Sequence, residues 1–228
     1  MQEVCDIDII AHRAGNSLDT LFNALEEGAD IIEVDVHLTR DNIPVAQYLP
    51  YILSIHSEKK YFSEYDFSFF KDYDVVPIDK LLILAKEKSF RLLLDIKKGK
   101  IFYPNIGMRL AKMIAALDLQ NYVELISFDH KCLVEAKSNY PIVRIGLLYI
   151  ARLFCLEAVI KSTQPDFIEI CEDYLDTESV ELAKSMAVDV YGWGTDDTDT
   201  LLWYRKLGMK AVTVNNISVA RELFEKNE

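Results

Sequence analysis

The chain has 228 residues, half of them hydrophobic and 27% charged, with a net charge of −12 at neutral pH. That length can bury a full core, and the composition excludes a disordered or fibrous chain. The negative balance repels nucleic acid and anionic lipid surfaces, and no apolar run approaches the roughly 20 residues of a membrane helix, so neither nucleic-acid binding nor integral membrane association is expected.

Apolar, β-type runs alternate with helical ones along the whole chain. The runs are DIDIIAH (6–12), IIEVDV (31–36), RLLLDIK (91–97), VELISF (123–128), IVRIGLL (142–148), FIEICE (167–172), VDVYGW (188–193) and AVTVNN (211–216). Most are apolar on both faces, as strands of a buried parallel sheet are. Amphipathic segments such as LFNALEEGA, IGMRLAKMIAALD, ESVELAKSMA and DTLLWYRKLG lie between them, with Asp176 at an N-cap position and Gly28 and Gly208 at C-cap positions. Eight strands each followed by a helix predict a single-domain α/β fold over residues 1–228, a (β/α)8 TIM barrel, with an open doubly wound sheet as the other arrangement. Two parts break the rhythm. Asp41-Asn42 predicts a turn that folds PVAQY back beside the second strand as a hairpin extension. Residues 51–75 form a Phe- and Tyr-rich insertion, read either as aromatics packed on the barrel rim or as a lid.

The start, MQEVCDIDII, lacks the basic stretch and apolar run of an export signal. The cysteines at 5, 132, 155 and 171 are too scattered for a metal site. Cys155 and Cys171 read as core thiols, and a reducing, cytoplasmic location is the expectation.

Barrel active sites sit at the C-terminal ends of the strands. There this chain places His12-Arg13, then Glu33, Asp35 and His37 at alternate positions on one face of a strand, then Asp95 and Lys97, Ser127, and Trp193. Three carboxylates facing one point suit a hard divalent cation, Mg2+ or Ca2+. Arg13 and Lys97 beside it suit a phosphate, and His12 suits a general acid or base. The partner expected is a small, phosphate-bearing substrate.

At this level the sequence resembles the glycerophosphodiester phosphodiesterase family and, more distantly, the sphingomyelinase D enzymes of venoms. AHRAGNSLDTLFNALEEGADIIEVDVHLTRDNIPVAQYL follows the order and spacing of the family's H-R-G, P-E-N-T and G-A-D-x-x-E-x-D-V-x-x-T-x-D-G motifs; VPIDKLL, LDIK, ISFDH, VYGWGTDD and GMKAVTVNN resemble its later ones. The resemblance implies a metal on Glu33, Asp35 and Asp95, phosphate binding by Arg13 and Lys97, substrate contacts at Ser127 and Trp193, and His12 as the first of two catalytic histidines.

The departures are as informative. The second histidine falls at Tyr48, Ala14 replaces the glycine of H-R-G, and Val214-Asn215 replaces T-D. A phenol with an ordinary pKa of about 10 is a poor proton shuttle beside an imidazole at about 6.5. Tyr48 is expected to point into the mouth opposite His12; His37 reads as a rim histidine bonded to a loop or as another route for the proton, and His56 as a surface residue or as one reaching inward from the insertion. The expected function is metal-dependent phosphodiester hydrolysis weakened by the lost histidine. The alternatives are a phosphodiester-binding pseudoenzyme and a one-histidine enzyme that releases a cyclic phosphate.

Overall fold

The computed structural model describes residues 7–97 and 103–225; Cys5 and the first residue of the expected first strand lie outside them. In chain order the strands are β1 (Asp8–Ala11), β2 (Ile31–Leu38), β3 (Pro44–Ala46), β4 (Tyr51–Leu53), β5 (Lys59–Tyr61) and β6 (Val76–Pro77). They continue with β7 (Arg91–Ile96), β8 (Val123–Ser127), β9 (Arg144–Tyr149), β10 (Phe167–Cys171), β11 (Asp189–Trp193) and β12 (Ala211–Val214). The helices are α1 (Leu18–Glu26), α2 (Ile78–Lys88), α3 (Ile106–Ala116), α4 (His130–Asn139), α5 (Leu156–Thr163), α6 (Thr177–Ser185), α7 (Thr198–Lys206) and α8 (Ile217–Glu225).

β1, β2 and β7–β12 pair in parallel in that order around a ring, and the β1–β2 pairing closes it. The fold is therefore the (β/α)8 barrel, not the open sheet. The local chemistry agrees: Asp176 accepts from the Ser179 amide at 2.8 Å and Asp197 from that of Thr200 at 2.9 Å, capping α6 and α7. Gly28 ends α1 at φ +92°, a conformation that favours glycine. Among the described residues no helix is long and apolar enough to cross a membrane.

The lumen is filled from below. Arg144 binds Glu124 at 2.6 Å and Asp189 at 3.0 Å, and the Tyr191 hydroxyl donates to Glu124 at 3.1 Å, sealing the N-terminal end with ion pairs. Above it Phe167 stacks on Tyr191 with ring centroids 4.2 Å apart. Opposite Phe167 stands Gly146, whose missing side chain makes room for that ring.

The part of the chain that departs from the regular barrel explains several side-chain positions. β2 has eight residues, and its ends belong to different structures. Ile31 and Ile32 pair with β1 inside the barrel, whereas Val36, His37 and Leu38 pair antiparallel with β3, the expected hairpin. Residues 51–75 cover this hairpin. Phe62 and Phe70 are fully buried against Val45 and Val75, with their rings 4.8 Å apart. None of these residues lines the cavity at the mouth, so the insertion is a rim-packed satellite core and the lid reading is corrected. His56 is exposed in its β4–β5 turn. Cys171 is buried as expected, but Cys155 is exposed, because it caps α5 while its neighbour Leu156 faces the core.

A Cβ on Gly146 would lie 2.0 Å from Phe167 Cε2. Gly146→Val should therefore destabilise the barrel by about 2–3 kcal/mol through overpacking, read from urea unfolding midpoints. An unchanged midpoint would mean that this layer is looser than the structure implies.

Candidate active site

The C-terminal mouth gathers most of the chemistry-bearing residues. Glu33 and Asp35 project from the same face of β2, and Asp95 sits beside Asp35 in register on β7. One carboxylate oxygen from each lies within 4.8 Å of the others, and all three residues are buried. Glu33 is held well above the usual carboxylate range by burial and by the neighbouring charges of Asp35 and Asp95. Burial raises Asp95 as well, against the pull of Lys97.

Two groups already offset this repulsion. Lys97 forms ion pairs with both Asp35 and Asp95. Burial opposes its charge, yet the carboxylates of Asp95, Asp35 and Glu33 keep its pKa above the ordinary lysine value. The second group is the turn after β1. Arg13 adopts φ +58°, unusual for a non-glycine residue, and so aims its backbone N–H at Glu33 Oε2, 2.5 Å away. The same turn brings Asn16 over Asp35: its Nδ2 donates to Oδ2 at 2.6 Å, and its Oδ1 accepts from the Asp35 amide at 3.0 Å. The sequence reading missed Asn16, although it stands three residues from Arg13 in the loop after the first strand.

The carboxylates remain under-satisfied. Asp95 Oδ1 is buried without a hydrogen-bond donor, and Asp35 Oδ1 has the Lys97 ammonium as its one partner. Buried oxygens of this kind are normally matched. An all-oxygen cluster with such an atom fits a hard divalent cation.

His12 follows β1. Its Nδ1 lies 2.8 Å from Asn215 Oδ1, and Asn215 Nδ2 in turn donates to Asp196 Oδ2 at 2.9 Å. Because the Asp196 carboxylate only accepts, the amide turns its oxygen to the histidine; Nδ1 then carries the proton and Nε2 keeps its lone pair. Burial lowers the His12 pKa and so favours the neutral base, and the Asn215 hydrogen bond partly counters it.

The cavity beside these groups holds about 230 Å³. His12, Arg13, Glu33, Asp95 and Lys97 line its polar side, Leu93, Ile126, Phe128, Leu148 and Trp193 its apolar side, and Glu169 and Thr213 also contribute. Glu169 was missed although an acid inside the apolar run FIEIC was a visible signal.

Three expected site residues need correction. Tyr48 does not line the cavity; it is partly exposed, with the Arg13 guanidinium stacked 3.6 Å above its ring. His37 shares the face of Glu33 and Asp35 by alternation, but it stands on the β2 segment that has left the barrel. There its Nδ1 lies 3.0 Å from the Tyr103 hydroxyl and its Nε2 3.2 Å from the Tyr48 carbonyl, and it does not line the cavity. Ser127 is fully buried, donating to the Ile96 carbonyl at 2.7 Å and accepting from the Asp129 amide, which leaves its hydroxyl occupied. Trp193 lines the cavity, with its indole N–H donated to the Tyr149 carbonyl at 3.3 Å.

A closed (β/α)8 barrel with titratable and cationic side chains converging on a cavity at its C-terminal mouth is the layout of a barrel enzyme. The family model of the glycerophosphoryl diester phosphodiesterases matches residues 11–219, and the chain belongs to that family of phosphoric diester hydrolases. It is 26% identical over 250 residues to a glycerophosphodiester phosphodiesterase of Caldanaerobacter subterraneus subsp. tengcongensis, covering 96% of this chain and 98% of that one. The fold matches a glycerophosphodiester phosphodiesterase from Parabacteroides distasonis with TM-score 0.82 at 21% identity, over 98% of each chain. It also matches an Oleispira antarctica phosphodiesterase solved with its product sn-glycerol-3-phosphate, with TM-score 0.80 at 18% identity, over 96% of each chain.

The corrected position of His37 carries a pH signature. Burial lowers its pKa to about 4, whereas an unfolded histidine titrates near 6.5. The unfolded chain therefore takes up a proton that the fold refuses, and the stabilisation is complete above about pH 6.5 and lost as pH falls toward 4. By pH 5 the loss from this residue should be about 2 kcal/mol. In urea melts at pH 7 and pH 5, His37→Phe should show a pH-dependent drop smaller by that amount than the parent's. An equal drop in both proteins would contradict the buried, neutral assignment.

Proposed function

We propose that this protein is a divalent-cation-dependent phosphodiesterase acting on glycerophosphodiesters or closely related small phosphodiesters. The observation that carries this reading is the buried triad Glu33–Asp35–Asp95, with Asp95 Oδ1 lacking any donor, lying beside the cavity that Arg13, Lys97 and His12 line. The triad would hold Mg2+ or Ca2+, which supplies positive charge for the phosphoryl oxygens as negative charge builds on them. Arg13 and Lys97 would bind the remaining phosphate oxygens, with Lys97 passing from counter-ion of the aspartates to partner of the substrate. Nε2 of His12, its lone pair set by Asn215, would take the proton of the attacking hydroxyl. Trp193 and the apolar wall would receive one of the two alcohols and exclude water from the reacting phosphate.

Phosphorus NMR of glycerophosphodiesters incubated with the protein, with and without Mg2+ or Ca2+, tests the reading. Cation-dependent release of a phosphomonoester supports it, and a persistent cyclic phosphate would indicate a reaction that stops half-way. The combined Glu33→Gln and Asp35→Asn variant should lose both turnover and the rise in melting temperature on adding cation. A variant that responds to cation as the parent does would displace the metal from these residues.

Tyr48 is read here as a support for Arg13, not as a proton donor. Tyr48→Phe keeps the ring and should leave kcat within two-fold. Tyr48→Ala removes the cation–π contact, worth about 0.5–1 kcal/mol at a partly exposed site, and should raise KM about two- to five-fold. A hundred-fold loss of kcat in Tyr48→Phe would restore the phenol to the chemistry.

A further inference from the structure

Splitting an alkyl phosphodiester needs two proton transfers: one away from the attacking hydroxyl and one onto the departing alcohol. The cavity contains one ready base, His12. The residue at the place of the family's second histidine, Tyr48, is stacked under Arg13 outside it, and both nitrogens of His37 are engaged elsewhere. Lys97 is held protonated by Asp95 and Asp35 and does not give up a proton near neutral pH.

Glu169 is the acid on the cavity lining that stands outside the Glu33–Asp35–Asp95 triad. It projects from the middle of β10 in a strand whose neighbours are apolar, and it is 3% exposed. The Thr213 hydroxyl donates to Oε1 at 2.6 Å. Among the described residues no protein group is hydrogen-bonded to Oε2. A buried carboxyl satisfied at one oxygen only is better accommodated with a proton on the other. Burial, the largest influence, raises its pKa to about 8, aided by Asp95 and Glu124 and opposed by Thr213 and Lys97, so it is largely un-ionised at neutral pH. Around the barrel β10 stands three places from β1, with β12 and β11 between them. A phosphate in the cavity therefore has His12 and Glu169 on different sides, as a displacement with attacking and leaving oxygens in line requires.

We propose that Glu169 is the proton donor to the departing alcohol, a role left open by the replaced histidine; the inference rests on the phosphodiesterase reading above. The attacking hydroxyl, from water or from the substrate itself, forms its bond to phosphorus and gives its proton to Nε2 of His12. The bond from phosphorus to the leaving oxygen breaks with its electron pair on oxygen, and that oxygen takes the proton of Glu169, leaving a carboxylate. If a substrate hydroxyl attacked, the product is a cyclic phosphate, and the groups then reverse roles. Water gives a proton to the Glu169 carboxylate as it adds to phosphorus, and the His12 imidazolium protonates the ring oxygen that departs. If water attacked first, one proton passes from His12 to Glu169 through solvent and resets both.

Leaving-group dependence separates this role from a structural one. An alkyl alcohol leaves poorly without a proton, whereas 4-nitrophenolate leaves without one. Glu169→Gln keeps the shape and the Thr213 contact, and it should cut kcat on glycerophosphoethanolamine by about 10²–10⁴-fold. On the 4-nitrophenyl ester of glycerol phosphate the loss should be a few-fold at most. Thr213→Val, which frees Oε1, should cost about ten-fold, on the alkyl ester alone. Equal losses on both substrates, or none on either, would overturn the proposal while leaving the phosphodiesterase reading intact. A parent that cleaves neither substrate with Mg2+ or Ca2+ would overturn that reading, and this one with it. If Glu169→Gln does not fold, the infrared spectrum of the parent decides. A carbonyl stretch of an un-ionised carboxyl at pH 7 that shifts in Thr213→Val supports the assignment, and its absence ends it.

Discussion

The mouth of this barrel is organised by the mutual repulsion of Glu33, Asp35 and Asp95. Three carboxylates buried within reach of one another are unfavourable unless positive charge is brought to them, and nearby features respond to that need. Lys97 reaches across to two of the acids. Arg13 accepts a left-handed backbone so that its N–H meets Glu33, and the turn that follows delivers the Asn16 amide to Asp35. These partners offset the repulsion but leave Asp95 Oδ1 without a donor. What remains is a cluster of buried oxygens that could hold a cation.

The barrel itself was legible in the chain because its strands are buried on both faces and therefore read as near-continuous apolar runs broken by amphipathic helices. The acid triad was legible for a related reason. Glu33 and Asp35 interrupt such a run at alternate positions, and a charged residue in a buried strand needs a partner to be tolerated. The same logic applied to Glu169 in FIEIC, where a single acid without a matching neighbour in sequence carried less weight than a pair.

The misplacements share one cause, since they depend on where the chain goes after the strand. Alternation puts His37 on the face of Glu33, but β2 outlasts the barrel and pairs with β3, so the third member of the series faces the aromatic insertion instead of the cavity. Tyr48 follows that hairpin and ends as a platform for Arg13. Ser127 ends its strand at the expected level, yet its hydroxyl is taken by the Ile96 carbonyl and the Asp129 amide. The relay from Asp196 through Asn215 to His12 joins residues about two hundred positions apart, and only the closed ring brings them together.

The ion pairs of Arg144 with Glu124 and Asp189 have a consequence for traffic as well as for stability. By closing the lumen at its N-terminal end they leave the cavity opening toward the rim where Arg13 and Phe128 stand. Whatever enters must leave by the same door.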